Sequence, residues 1–338
     1  MVTLRDIAIR SGVSISTASR ALSDHEYVRA DTRARVQDVA RELSYAPNKM
    51  ARGLRRNQTR AIGLVLPDMR NSSFSSEAAA FLQRELQESG YGLVLYVTRY
   101  DHETELRCLD RLRAQQVDGI VHVPASSASA ENLTKGSLPI PVVEFLRRSS
   151  ASNKLDAVLY DDEEGANRVV AHLLQLGHRR IGVITGPRGA GPTTRRLAGA
   201  YRAVAEAGLD PDVLHVMQGE YAPETGRQAF RRLLDIYPPH TAIFATSTQF
   251  VLGVMLASKE SRVDIPGQIS LAGFGDPEWG QLLSAPLTTY KLPLQEMAMT
   301  AALLMTSRIE RKPSLETHPI QITISGTLMV RSSTAPPS

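Results

Sequence analysis

A chain of 338 residues exceeds one ordinary hydrophobic core, so two or three domains are expected. Apolar residues at 42% exclude general disorder, the single cysteine (Cys108) excludes an intrachain disulfide or a cysteine metal cluster, and no apolar run is long enough to span a bilayer. The net charge of +4 is unevenly placed: residues 1–60 hold 12 Lys/Arg against 6 Asp/Glu, the remainder is at −2, and a polyanion is the partner this suggests for the first segment alone.

The opening MVTLRDIAIRSG carries charges where a secretory signal needs an apolar run, which predicts a soluble, cytoplasmic protein. Leu4, Ile7 and Ala8 recur at helical spacing, with Thr3 as the N-cap. Gly12 stands where a tight turn needs a permissive backbone. Ser14 caps a second short helix, Ile15 to Leu22, whose Ala18 and Leu22 face inward. A third helix runs from about Asp31 to Leu43 with Val36, Val39, Ala40 and Leu43 on one face. This is the layout of a helix-turn-helix unit, which lays its second helix in the major groove. Ile15 suits a thymine methyl, Ser16 and Thr17 suit base edges or phosphates, and Arg20 suits a guanine. A plain three-helix domain with solvated polar residues is the alternative; the local charge favours DNA. Pro47 ends the third helix, and MARGLRRNQTR follows from Met50 to Arg60. That stretch is either a flexible linker or a helix that forms only on DNA, with Leu54 wedged into the minor groove and Arg55 near phosphates.

The run from Val2 to Arg56 resembles the lactose-repressor/galactose-repressor (LacI/GalR) family almost without a gap. Further along the chain AIGLVLPD near Ala61, VDGIV at Val117, HLLQLGHRRIGVITG from His172, RLAGAYRA from Arg196, AGFGD…APLTTYKLP from Ala272 and VRSST at Val330 follow in the family's order. The resemblance implies a homodimer on a pseudo-palindromic operator, each subunit reading one half-site. By position, Ile15, Ser16 and Arg20 match the family's base readers, and Thr17 and Ser19 its phosphate contacts. Leu54 matches its minor-groove wedge, with Ala51, Arg52 and Arg55 in its hinge helix. Thr3, Ser14, Tyr45 and Asn48 complete the expected DNA-binding set.

The remainder alternates apolar runs (Ala61–Leu66, Gly92–Val97, Gly119–Val123, Val142–Glu144, Arg180–Ile184, Thr241–Ala245, Ile269–Phe274, Ile320–Ile324) with amphipathic stretches such as Ser75–Glu88, Glu103–Gln115, Gly165–Leu176 and Leu197–Glu206. Such alternation argues for parallel sheets covered by helices, and the length suits two lobes. The fold expected is an all-α helix-turn-helix head plus an α/β two-lobed, periplasmic-binding-protein-like (type I) ligand-sensing domain. The division is 1–46 for the head, 47–60 for the hinge and 61–338 for the sensor. The resemblance implies chain crossings between lobes near Asp161, Tyr290 and Ile322. Lobe 1 then takes about 61–160 and 291–322, and lobe 2 about 161–290 and 323–338.

An effector would sit between the lobes at the C-terminal ends of strands. Asn71 suits ligand hydroxyls; Phe74 either covers an apolar ring face or lies in the core. The loop GPRGAGPTTRR lacks the lysine of a phosphate loop, which excludes nucleotide hydrolysis of that kind. Arg196, at the start of RLAG, matches the family's effector arginine; its alternative is a surface salt bridge. Two departures stand out: Ser247-Thr248 where the family has Asn-Asp, and Gly275-Asp276 where it often has an Asp pair. A carboxylate lost while Arg195 and Arg196 stay favours a sugar acid or sugar phosphate over a neutral sugar. Trp279 either stacks on a sugar face or packs at the lobe interface.

An enzyme is the main rival, but there is no GxSxG elbow, HExxH helix or GxGxxG after a strand, and no metal or cofactor is expected. A pure transport receptor would lack the basic head. The mechanism expected is a population shift: ligand changes the angle between lobes and so the spacing of the two hinge segments in a dimer, with the region Phe74–Leu86 in the dimer surface. The C-terminus shows no heptad repeat for a tetramer.

Overall fold

The computed structural model describes residues 2–22, 27–45, 58–69, 73–125, 140–149, 154–310 and 318–337. Two compact units divide the chain, one ending at Thr59 and the other starting at Arg60.

The first unit holds helices Leu4–Ser11, Ile15–Ala21 and Ala30–Glu42. Thr3 accepts from the Asp6 N–H, and the Asp6 carboxylate accepts back from the Thr3 N–H at 2.8 Å, a reciprocal capping box. Gly12 closes the first helix at φ 62°. A Cβ there would meet nothing within 4 Å, so the backbone angle rather than crowding selects glycine. Ile7, Ala8, Ala18, Ala21, Val36 and Ala40 are buried together, and the alanines let the helices approach closely. Leu22 packs half-buried against this core, as expected, and serves as C-cap of the second helix. Leu43 likewise caps the third.

The second unit carries two six-stranded sheets. In the first, the strands are β1 (Ala61–Leu66), β2 (Gly92–Val97), β3 (Gly119–His122), β4 (Val142–Leu146), β5 (Asp156–Tyr160) and β11 (Gln321–Ile324). Their order is β11-β5-β4-β3-β1-β2, with every pairing parallel. The second sheet holds β6 (Ile181–Thr185), β7 (Leu214–Gln218), β8 (Ala242–Ala245), β9 (Ser270–Phe274), β10 (Thr288–Lys291) and β12 (Thr327–Met329). Its order is β12-β10-β9-β8-β6-β7, parallel except for the edge pair β10–β12. Strands such as AIGLVL and IGVIT are apolar throughout because helices cover both faces of each sheet.

The chain passes between sheets three times. After β5 it enters helix Asp162–Gln175, which packs beside helix Gly191–Glu206 of the second sheet. After β10 it enters helix Leu294–Glu310, which packs on helix Ser73–Glu88 and on β4 and β5 of the first. The last passage falls at Ser325–Gly326 rather than near Ile322, because β11 stays paired with β5 as far as Tyr160. There the Gly326 N–H donates to the fully buried Tyr290 hydroxyl at 2.7 Å, joining the second and third passages. Among the described residues no helix is long and apolar enough to cross a membrane.

Candidate functional site

Two surfaces bear on function, one in each unit. In the head, Ser14 caps helix Ile15–Ala21 by accepting from the Thr17 N–H at 3.0 Å, and its hydroxyl also lies 2.8 Å from those of Ser16 and Thr17. This cap fixes the first turn of the helix. Ala18 and Ala21 are buried, so Ile15, Ser16 and Arg20 stand exposed on the other side. Ile15 is 46% exposed on this face. Thr17 and Ser19 are half-buried and Thr3 is exposed. Tyr45 is half-buried against the head core and tied by its N–H to the Ala40 carbonyl at 2.8 Å. Asn48, Ala51, Arg52, Leu54 and Arg55, and Asn71 in the other unit, lie outside the described residues.

In the second unit, strand order reverses between β1 and β3 and between β6 and β8. In open parallel sheets the crevice at the carboxyl ends beside such a reversal is the ligand-binding place. The loops there line a small inner cavity of about 90 Å³ and a larger outer one of about 860 Å³. Phe74, Tyr160, Arg196, Tyr221, Ser247 and Gly275 are among the inner walls. Phe74 meets Tyr160 edge-on at 5.9 Å, so it is part of the cavity wall and packs on the core as well.

Arg196 anchors the inner wall. It is 7% exposed, so the surface salt bridge weighed from sequence is replaced by a buried pair. Its Nε donates to Asp162 Oδ1 at 2.7 Å, its Nη2 to the Tyr160 hydroxyl at 3.0 Å, and its Nη1 to the Thr246 carbonyl. The guanidinium also lies 3.9 Å over the Phe274 ring. Burial works against its charge, but the Asp162 carboxylate outweighs that and holds the guanidinium above its ordinary pKa. Burial, reinforced by Asp162, pushes the Tyr160 hydroxyl up to about 12. Ser247 is the N-cap of helix Thr248–Ser261, accepting from the Gln249 N–H at 3.3 Å. Gly275 sits at φ 92°, an angle that disfavours the aspartate expected from related sequences.

Asp276 and Trp279 do not reach these cavities. The Asp276 carboxylate is taken by Arg331 in two bonds of 2.7 and 2.9 Å and by the Thr289 hydroxyl at 2.8 Å. Partial burial acts against its charge, yet those donors hold its pKa below the ordinary value. Trp279 packs half-buried against the cluster that holds Ile184, Phe250 and Leu287, so it is part of the second lobe's core packing.

Several cleft groups gave no motif in the sequence. Tyr221 stacks on Phe250 at 5.6 Å and lines both cavities. Under the outer cavity, the buried Glu105 carboxylate pairs with His122 Nε2 at 2.8 Å and accepts from the Ala125 N–H at 3.0 Å, fixing the loop after β3. Glu144 does the same after β4, accepting from the Ser149 N–H at 3.1 Å; burial pushes its carboxyl up. Helical spacing on Glu103–Gln115 placed Glu105 beside Cys108 and Leu109, the one signal that it faces inward.

Comparison with known proteins matches residues 3–48 to the model of bacterial regulatory proteins, lacI family, and residues 170–334 to a periplasmic binding protein-like domain. The HTH-type transcriptional regulator DegA of Bacillus subtilis (strain 168) is 30% identical over 300 residues, 87% of this chain and 88% of that one. The crystal structure of the lac repressor dimer bound to operator and the anti-inducer ONPF superposes with a TM-score of 0.86 at 25% identity, covering 99% of both chains. A complex of the transcriptional regulator CelR with cellobiose gives a TM-score of 0.72 at 26% identity, covering 98% of this chain and all of that one.

Proposed function

The chain belongs to the lacI family of bacterial regulatory proteins, and from that premise we infer how this sequence-specific DNA-binding transcription regulator works. Its head, 1–46, reads one half of a pseudo-palindromic operator, with a second copy of the chain reading the other half. Ile15, Ser16 and Arg20 contact base edges, and Thr17 and Ser19 contact phosphates, supported by Thr3, Ser14, Tyr45 and Asn48. Leu54 acts as the minor-groove wedge within the hinge 47–60, beside Ala51, Arg52 and Arg55. The regulator acts as a repressor of a catabolic operon, in the cytoplasm.

The sensor, 61–338, holds a carbohydrate or sugar-acid effector between its lobes. Phe74, Ser247 and Gly275 form its walls, Arg196 its fixed polar point, and Asn71 meets its hydroxyls. Asp276 and Trp279 support the wall without touching ligand. The observation that carries this reading is the placement of Arg196 and its aromatic neighbours at the reversal of strand order in both sheets. The lac repressor and CelR structures named above, one on operator and one with cellobiose, support it. Effector binding shifts the balance between two lobe angles, and with it operator affinity.

The test is fluorescence anisotropy on DNA from upstream of the chain's own gene, repeated with a panel of sugars and sugar acids. A panel member should change operator affinity by at least about fivefold, the lower end of ordinary allosteric coupling. A set of compounds that bind in the cleft and leave operator affinity unchanged would contradict it.

A further inference from the structure

We propose that the outer cavity seats an anionic group of the effector, a carboxylate or a phosphate ester, held between Arg147 and Arg195 and the first turn of helix Gly191–Glu206. The proposal rests on the cleft being the effector site and names the chemistry of that site.

Arg196 is the arginine first expected to meet such a group, and its charge is already answered. Asp162, the Tyr160 hydroxyl and the Thr246 carbonyl take one N–H from each of its three nitrogens. Two N–H groups remain for neutral hydroxyls. Arg195 is different. Its Nε lies 3.4 Å from the same Asp162, whose other oxygen Arg196 holds. One carboxylate between two guanidiniums leaves an excess positive charge at the cavity wall. Arg195 is 39% exposed in its side chain, so it can turn to a ligand, and its Nη2 lies 3.9 Å from where a Cβ on Gly191 would be.

That guanidinium therefore sits over the start of a 16-residue helix. The N-cap there is Ala190, which has no side-chain acceptor for the first amides. Gly189, Ala190 and Gly191 all line the outer cavity, so the positive end of the helix faces it.

Across the cavity stands Arg147, at the end of β4. Its N–H donates back to the Phe145 carbonyl at 2.8 Å, closing a three-residue turn with Leu146 at φ 68°. A turn with that sign of φ is rare and strained. Its guanidinium lies 5.4 Å over the Tyr100 ring, and among the described residues no carboxylate is within ion-pair distance of it. Arg99 and Tyr100, after β2, are held at φ 55° and 62°. Thus two left-handed non-glycine residues, Arg99 and Tyr100, line the outer cavity, and a third, Leu146, lines the inner one beside it, as strain does at ligand sites. In the lining, Arg99, Arg147, Arg148 and Arg195 face two acids, Asp68 and Glu220. Arg148 is answered by Glu144 at 3.6 Å, which leaves Arg99, Arg147 and Arg195 against Asp68 and Glu220, a surplus of one positive charge to which Arg147 and Arg195 both contribute. They come from opposite lobes, and an anion between them would replace a repulsion across the cleft by two attractions.

The test is isothermal titration of the full chain with matched sets: glucose, gluconate and glucose 6-phosphate; ribose, ribonate and ribose 5-phosphate; and inorganic phosphate alone. An anionic member should bind at least about tenfold tighter than its neutral partner. That ratio should fall to near one in Arg147→Gln and in Arg195→Gln, and stay in the exposed control Arg232→Gln. The acid-versus-phosphate arm tells which anion the seat prefers. Neutral members binding as tightly as anionic ones, and changing operator affinity, would overturn the anion seat and leave the effector cleft standing. An anion preference that survives both substitutions would place the anion elsewhere and overturn it too. Silence of all probes, inorganic phosphate included, would likewise overturn it.

Discussion

Arg196 and Asp162 are both at most 7% exposed, which makes each dependent on the other. Replacing Arg196 by Met leaves a buried carboxylate with only the looser Arg195 beside it, and should cost about 3–5 kcal/mol in urea unfolding. The double change Arg196→Met with Asp162→Asn should recover much of that loss, because no lone charge stays buried. A single variant as stable as the parent would refute the buried pair. Tyr160, in the same network, gives a pH signature. Burial and the nearby Asp162 push its hydroxyl from an ordinary 10.0 up to about 12. Its contribution is therefore complete below pH ~10 and lost progressively as pH climbs towards ~12. Tyr160→Phe should flatten that part of the alkaline decline, measured as the difference in Tm between the two proteins across this range. At this scale the sequence showed Arg196 through its RLAG context but not its partner, which lies 34 positions earlier. Asp276 misled for the same reason: Arg331, which occupies it, is 55 positions away. Pairing between distant positions leaves no local pattern.

Helix ends in the head were legible because their chemistry is local. Thr3, Gly12 and Ser14 each act on residues within a turn of themselves. Gly12→Ala should cost the head about 1 kcal/mol despite the open space around it, since the cost is in φ rather than in packing. Ser14→Ala should cost about the same by leaving the Thr17 amide without its acceptor. Amide hydrogen exchange of the first two helices in the full chain reads both, and unchanged protection in either variant would contradict the capping described. Strands were less even. β1 and β2 were legible to the residue, as continuous apolar runs. β10, with Thr288 and Thr289 fully buried, breaks that pattern: the Thr288 N–H donates to Ser333 Oγ at 2.8 Å, and the Thr289 hydroxyl donates to Asp276 at 2.8 Å. Polar residues satisfied from far along the chain do not announce a strand. The loop before Arg196 was read too long: the helix was expected from Leu197 but starts at Gly191, with Pro192 in its first turn, where a missing N–H costs nothing.

For the whole molecule, the separation of a basic head from a two-sheet sensor was visible in charge and periodicity alone, and the family match agrees with it. What periodicity does not contain is the relation between sheets, since three passages at Asp161, after Lys291 and at Ser325–Gly326 are set by where strands stop pairing. Those three passages make the unit a pair of lobes joined by short strands, the arrangement in which a ligand held by both sides alters an angle. The claim on which everything else depends is that the exposed face of helix Ile15–Ala21 reads bases. The direct measurement is anisotropy of wild type and Arg20→Ala on the operator and on versions with each base pair of one half-site changed, at fixed salt. Arg20→Ala is expected to lose about 1–3 kcal/mol on the operator and to become indifferent to one position. A uniform weakening on every sequence, with base preference intact at all positions, would contradict it.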